Sequence, residues 1–303
     1  PNGHEHAFTA AVVFCVVAFG ISARSQCGET PRLGGDDAGD ALERSISVLW
    51  SDNPIRAALE NLASRQGTLV WLDRRVDPDR HVSIAAQDVS VGEFLAELAR
   101  QEGLGLCELG PIFYLGPPDA IANLRTLVEL RRQDARALPR ALSRRFLREE
   151  SMRWDDLASP RDLLAGLGRA IQIEIDDLDR VVHDLWPAMR LPALPLVDRL
   201  TLILAPFGMT FHIEDGGERI RLVPIPEQVF LIRRYPAGSR REEIIARWRA
   251  LSPDIRIRVE GNELVVEGRL EDHERLHEAA RPSRREGRAG KESRGMATVE
   301  RPH

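Results

Sequence analysis

Five consecutive residues near the C-terminus have the types and spacing of a metal-dependent hydrolase: His273, Glu274, Arg275, Leu276 and His277. On a helix the two histidines fall one turn apart and can hold zinc, leaving Glu274 as general base. The surroundings weigh against that chemistry. Arg275 puts a charge between the histidines, and Ala280 and Ser283 stand where a longer zinc motif needs glycine and a third histidine. Beyond the motif, Glu278 and Glu300 are poor candidates for a further ligand. The alternative is an exposed polar helix face, so no metal and no cofactor are assigned.

Other chemistry-bearing residues are sparser. His81 and His183 sit at strand starts and read as surface residues, and Asp176, Asp177 and Asp179 lack the spacing of a calcium loop. Nucleotide and nucleophile-elbow motifs are absent. Of the three cysteines, Cys15 lies in an apolar segment, Cys27 follows it, and Cys107 falls on an apolar strand pattern that predicts a buried free thiol. An oxidising compartment would permit a bond between Cys27 and Cys107. The net charge of −5 gives no reason to expect nucleic acid, and no small-molecule substrate is indicated. The positive charge is almost all arginine. Arg125, Arg131 and Arg132 lie mostly off the apolar stripe of Leu124, Leu127 and Val128. They read either as the solvated side of a connector or as a docking surface for an acidic partner or phospholipid headgroups.

The elements that would position these residues follow from periodicity. Residues 7–23 form an uncharged apolar run of 17 residues, short for a membrane span. They read as a signal peptide or retained anchor within residues 1–25, and Ala23-Arg24-Ser25 suits cleavage. Residues 26–44 read as a flexible linker. Residues 45–118 read as strand, helix, strand, strand, helix, strand, strand, with Asn53 as a helix cap before Pro54, Ser90 capping the second helix and Gly103 ending it. Residues 119–150 form an arginine-rich helical connector. Residues 151–226 repeat the first pattern: a shift of 105 positions sets Leu59 and Leu62 against Leu164 and Leu167, Leu95 and Leu98 against Leu200 and Ile203, and Gly103 against Gly208. The matches are core positions and a helix stop, which predicts a repeated fold rather than a repeated active site. Residues 227–281 read as strand, helix, two strands turning at Gly261-Asn262, and a last helix. Residues 282–303 read as a disordered basic tail. The fold class expected is α+β, with tandem small βαββαββ domains followed by a βαββα domain.

Three stretches, "SVLWSDNPIRAALENLA", "LDRRVDPDRHVSIAAQDVSVGEFLAELARQEGLGL" and "IFYLGPP", resemble the secretin and TonB short N-terminal domain. Residues 45–118 fit that family's apolar spacing well. Residues 151–226 fit more loosely, because Asp155 to Pro160 departs from the opening pattern and Trp186-Pro187-Ala188 is a poor strand start. "VEGNELVVEGRLEDHERL" is similar to the ring-building domains that follow in secretins. The resemblance implies a non-catalytic protein of the cell envelope, exported and periplasmic or anchored facing the periplasm. Its partner would be an envelope protein or another copy of itself, with inner-membrane contact through the N-terminal segment. No run of alternating strands able to form a membrane barrel follows. A zinc-dependent hydrolase and a membrane-anchored regulatory protein are the alternatives.

Overall fold

A computed structural model describes residues 45–238 and 240–280. The expected leader, the linker, Cys15, Cys27 and the basic tail lie outside these residues. The chain builds an α+β structure from thirteen short strands in five small sheets, with eight α-helices among the described residues. None of those helices is long and apolar enough to cross a membrane.

Strand β1 (Ser45–Pro54) pairs antiparallel with β3 (His81–Ser90) as a two-stranded ribbon. Between them run helix α1 (Ile55–Gln66) and strand β2 (Leu69–Leu72). Helix α2 (Val91–Glu102) and the hairpin of β4 (Gly105–Leu109) and β5 (Ile112–Gly116) complete the segment. β5 lies between β2, which is parallel to it, and β4, which is antiparallel. Ser90 caps α2 as expected and also closes a capping box with Glu93, and Gly103 ends α2 at φ 66°. Asn53 does not cap α1. Its side chain accepts from the Ser51 amide, and the first free amides of α1 bond the carbonyls of Arg80 and Pro78. A long-range loop therefore satisfies what a local side chain was expected to satisfy.

The later segment has the same order and pairing. Strand β6 (Glu149–Trp154) pairs with β8 (Met189–Pro195), and β10 (Arg219–Pro224) lies between parallel β7 (Glu174–Asp176) and antiparallel β9 (Met209–Glu214). Helix α5 (Pro160–Ile171) begins 105 positions after α1, and α6 (Leu196–Leu204) begins 105 after α2. The offset grows to 107 only at the last strand, where β2 pairs Leu69 with Ile112 and β7 pairs Glu174 with Arg219. The hairpin at 215–218 is two residues longer than that at 110–111. Leu59, Leu62, Leu95, Leu98, Leu164, Leu167, Leu200 and Ile203 are all buried. Trp186 makes an isolated bridge to Ala158, so β8 starts at Met189, beyond the awkward Trp-Pro-Ala stretch.

The third segment is an antiparallel sheet in which β13 (Glu263–Gly268) lies between β11 (Leu231–Pro236) and β12 (Arg256–Glu260). Its helices are α7 (Arg241–Leu251) and α8 (Leu270–Ala280). Trp248, Leu264, Val266 and Leu276 form its core.

Between the first two segments run α3 (Pro118–Ala137) and α4 (Arg140–Leu147). The solvated connector expected here is instead part of the interior: Leu124, Thr126, Leu127, Val128, Arg131 and Ala135 of α3 are buried. The cause lies in β5. Phe113 and Leu115 face α1 and α2, whereas Ile112 and Tyr114 face the other way and join α3 and the later segment in one large core. A strand buried on both faces needs a second layer, and α3 supplies part of it.

Candidate functional site

The histidine motif and the connector arginines meet where α8 docks against α3. The Leu270 amide, one of the four orphan donors at the start of α8, is accepted by the buried Thr126 hydroxyl at 3.0 Å. The adjacent Arg125 reaches Glu274, one turn beyond Leu270 on α8, through both terminal nitrogens, at 2.6 and 2.9 Å, and lies 3.5 Å from Glu271. The proposed general base is thus held in an ion pair.

His273 is fully buried. Its Nε2 lies 3.1 Å from the Leu231 carbonyl and its Nδ1 lies 2.7 Å from the Tyr235 hydroxyl. A carbonyl only accepts, so Nε2 carries the proton and Nδ1 accepts from Tyr235. Burial, with Arg233 adding to it, lowers the imidazole pKa and keeps it neutral; the Leu231 carbonyl opposes them. Both ring nitrogens are engaged, whereas His277 is exposed. The two histidines therefore do not face one open site, and among the described residues no group of three potential ligands could hold a metal. His273 acts as a polar rivet between α8 and β11.

The three arginines named as partner contacts turn inward. Arg131 is 8% exposed, donates to the Phe211 carbonyl and pairs with Asp134 at 3.1 Å. Arg132 grips Asp198 of α6 bidentately, with Nε to Oδ1 at 2.9 Å. Arg125 is bound to α8 as described. Their reach across the apolar stripe follows from side-chain length: the aliphatic stems lie along the core while the guanidinium groups find acceptors on other elements. None of the three presents a free docking charge.

Two hollows flank α3. One, of about 260 Å³, lies between Leu127, Arg131, Thr210, His212, Val223 and Val229. Burial and the nearby Arg131 lower the His212 pKa. The other, of about 620 Å³, lies between Cys107, Ile121, Arg125, Arg269, Glu271 and Arg275. Cys107 is a free, buried thiol, and burial pushes its pKa up to about 12, so it stays protonated and unreactive near neutral pH. His81 and His183 are both exposed, and His81 lies 3.0 Å from Asp52.

Sequence reasoning missed Asp198 as the partner of Arg132, although a signal was present. Asp198 stands 105 positions after Glu93, but Pro195 replaces the capping serine, Ser90. Without a cap hydroxyl to close the box, the acid at this third helical position is available to another element. Asp73, also missed, is a fully buried carboxylate that accepts from Tyr114 at 2.6 Å and from Arg75 at 2.7 Å. It anchors the joint where Trp71 meets Trp154 and Trp186 at centroid distances of 6.1 and 5.4 Å.

No family model matches the chain, and no curated protein matches it. Solved structures with some likeness include the N-terminal domain of the secretin XcpQ from Pseudomonas aeruginosa. It is 12% identical, with a TM-score of 0.22, covering 78% of this chain and 97% of that one. A dimeric cysteine mutant of the same domain is 11% identical, with a TM-score of 0.21, covering 77% and 96%. Overlap at this level bears no weight for the arrangement or activity of this chain.

Proposed function

We propose that the chain is a non-catalytic interaction module of the cell envelope, which joins a protein partner or further copies of itself by strand addition. It is read as two copies of one βαββαββ unit, residues 45–118 and 151–226, joined by residues 119–150 and followed by a βαββα unit, residues 227–281. The envelope assignment is supported by the uncharged run of residues 7–23. The interaction reading is carried by the β1–β3 ribbon. Both strands are ten residues long, and among the described residues neither outer edge is paired. Bulges interrupt the register near both ends, but Val48 to Trp50 pair regularly with Ala86 to Ile84. The face turned outward carries Ser47, Leu49, Ser51, Ser83, Ala85 and Gln87, with Leu49 78% exposed. Natural edges are commonly guarded by charge or proline, and this central stretch has neither. By contrast, β12 displays Arg256 and Arg258 paired with Glu267.

The test is crosslinking of the full-length protein in its own cells, with the attached peptides identified by mass spectrometry. The expected result is envelope proteins or the chain itself joined through β1 or β3, and their loss in Leu49→Lys, a substitution at an exposed position that adds an edge charge. A strictly monomeric chain with nothing attached would sink the proposal, as would unchanged recovery with Leu49→Lys.

A further inference from the structure

Between Arg136 and Arg148 the chain has five arginines and no acidic residue. Arg136 pairs with Glu129 and Arg148 with Glu150. Arg140, Arg144 and Arg145 of α4 are exposed, and among the described residues none has a carboxylate within ion-pair distance. At 100° per residue they span an arc of about 140° on the side away from Leu142 and Phe146. Phe146 is fully buried, and Leu138 and Leu142 lie against Gly217. The apolar side of α4 is therefore already used in the core, and what remains outside is a rigid basic strip.

The placement is unfavourable for the helix alone. Arg140 occupies the first position, where the helix dipole disfavours a cation and no first-turn acid compensates it. Arg140 and Arg144 are also like charges four residues apart, which costs a few tenths of a kcal/mol. An external anion would relieve both. Guanidinium groups bind phosphate oxygens bidentately. In the envelope reading, the apolar run that would hold the chain at a membrane ends 21 residues before β1.

We propose that the Arg140, Arg144 and Arg145 strip docks on the anionic headgroups of the membrane from which the chain extends. This rests on the envelope reading above, but not on strand addition. A single membrane signal of marginal strength is commonly completed by a basic patch, and each arginine near an anionic surface contributes about fivefold in partitioning.

The test uses the full chain with vesicles of phosphatidylglycerol and phosphatidylcholine in roughly equal parts, or of phosphatidylcholine alone. Arginines are modified with phenylglyoxal and each site is followed by mass spectrometry. The expected result is modification at Arg140, Arg144 and Arg145 at least about fivefold slower on the anionic vesicles only. The protection should disappear at about 0.5 M salt, where the Debye length is roughly 4 Å. Arg65 and Arg169, exposed and without an ion pair among the described residues, serve as controls and should react alike on both vesicles. Equal reactivity of the strip on the two vesicles overturns the proposal, as does failure of the chain to float with either. Protection without vesicles would assign the strip to the acidic residues between Glu29 and Glu43 of the chain itself, and protection by polyglutamate but not by lipid would assign it to an acidic protein; either result also overturns it. None of these failures touches the crosslinking test of the β1–β3 ribbon.

Discussion

The Arg132–Asp198 pair gives the sharpest test of α3 as an interior helix. Both side chains are largely removed from water, at 15% and 6% exposure. Burial lowers the Arg132 pKa, but pairing with Asp198 outweighs it and the net direction is up. At Asp198 burial outweighs pairing, so its carboxyl is raised despite the arginine beside it. The Asp198 direction governs the pH dependence, because the guanidinium stays charged throughout. A raised folded pKa means that its contribution to stability is fully present below the ordinary aspartate range and is lost as pH rises through the folded value. At neutral pH the buried charge is therefore a net cost that Arg132 offsets in part. Arg132→Met leaves that charge without its partner and should destabilise by about 3 kcal/mol, the low end of the range for broken buried pairs, given the residual exposure of Arg132. For a structure of this size that is a fall in Tm of roughly 6–12 °C. Arg132→Met combined with Asp198→Leu replaces the pair by apolar groups and should return to wild-type stability or exceed it, with the advantage growing as pH rises. Urea unfolding followed by fluorescence of the Trp71, Trp154 and Trp186 cluster reads both variants. If Arg132→Met costs less than about 1 kcal/mol, or the double variant is as unstable as the single, α3 is not held in the way described.

Helix α5 offers a matched pair of substitutions. A Cβ at Gly166 would meet only the end of Arg169 at 3.9 Å, so Gly166→Ala should stabilise by about 0.5–1 kcal/mol through helix propensity. A Cβ at Gly168 would lie 2.8 Å from the Ile173 carbonyl, so Gly168→Ala should destabilise by about 1–3 kcal/mol in the same unfolding assay. His273 has a folded pKa below its unfolded value of about 6.5, so the third segment should lose stability as pH falls from there towards the folded pKa. Hydrogen exchange of β11 and β13 should show it, and His273→Phe should flatten that slope while lowering stability at pH 8. Arg199 is 4% exposed, its pKa is lowered by burial, and its contact with Glu150 is 3.5 Å. Arg199→Met should therefore be neutral or stabilising by up to about 1–2 kcal/mol, because Glu150 is exposed enough to be solvated alone.

Much of the fold is written in local pattern. The apolar spacing of Leu59, Leu62, Leu95 and Leu98, the Ser90 capping box and the glycine stops each state their structure within one turn of helix. The 105-residue offset carries the same reading to α5 and α6. What local pattern does not state is the fate of α3. The stripe of Leu124, Leu127 and Val128 is visible, but the arginines beside it make the helix look half-solvated. Arg132, Arg131 and Arg125 find their acceptors 66, 80 and 149 positions further on, distances over which periodicity is silent. The histidine motif fails for the same reason. Helical spacing puts His273 and His277 on one side of α8, but only packing against β11 decides that one is sealed and the other wet.

The two similar segments differ where that packing differs. β5 is buried along its whole length, with Tyr114 inside, whereas β10 alternates between buried and open residues and places exposed Arg221 at the position corresponding to Tyr114. The first three-stranded sheet is thus covered on both faces and the second keeps a charged side. Arg219 and Arg221, paired with Glu174 and Glu214, make that side costly to bury against another apolar surface. Face-to-face stacking is therefore disfavoured at this end, while the central stretch of β1, Ser47 to Ser51, carries no charge and its outer edge is unpaired among the described residues. That contrast supports the edge-to-edge association proposed above, which is the geometry that crosslinking at β1 would report.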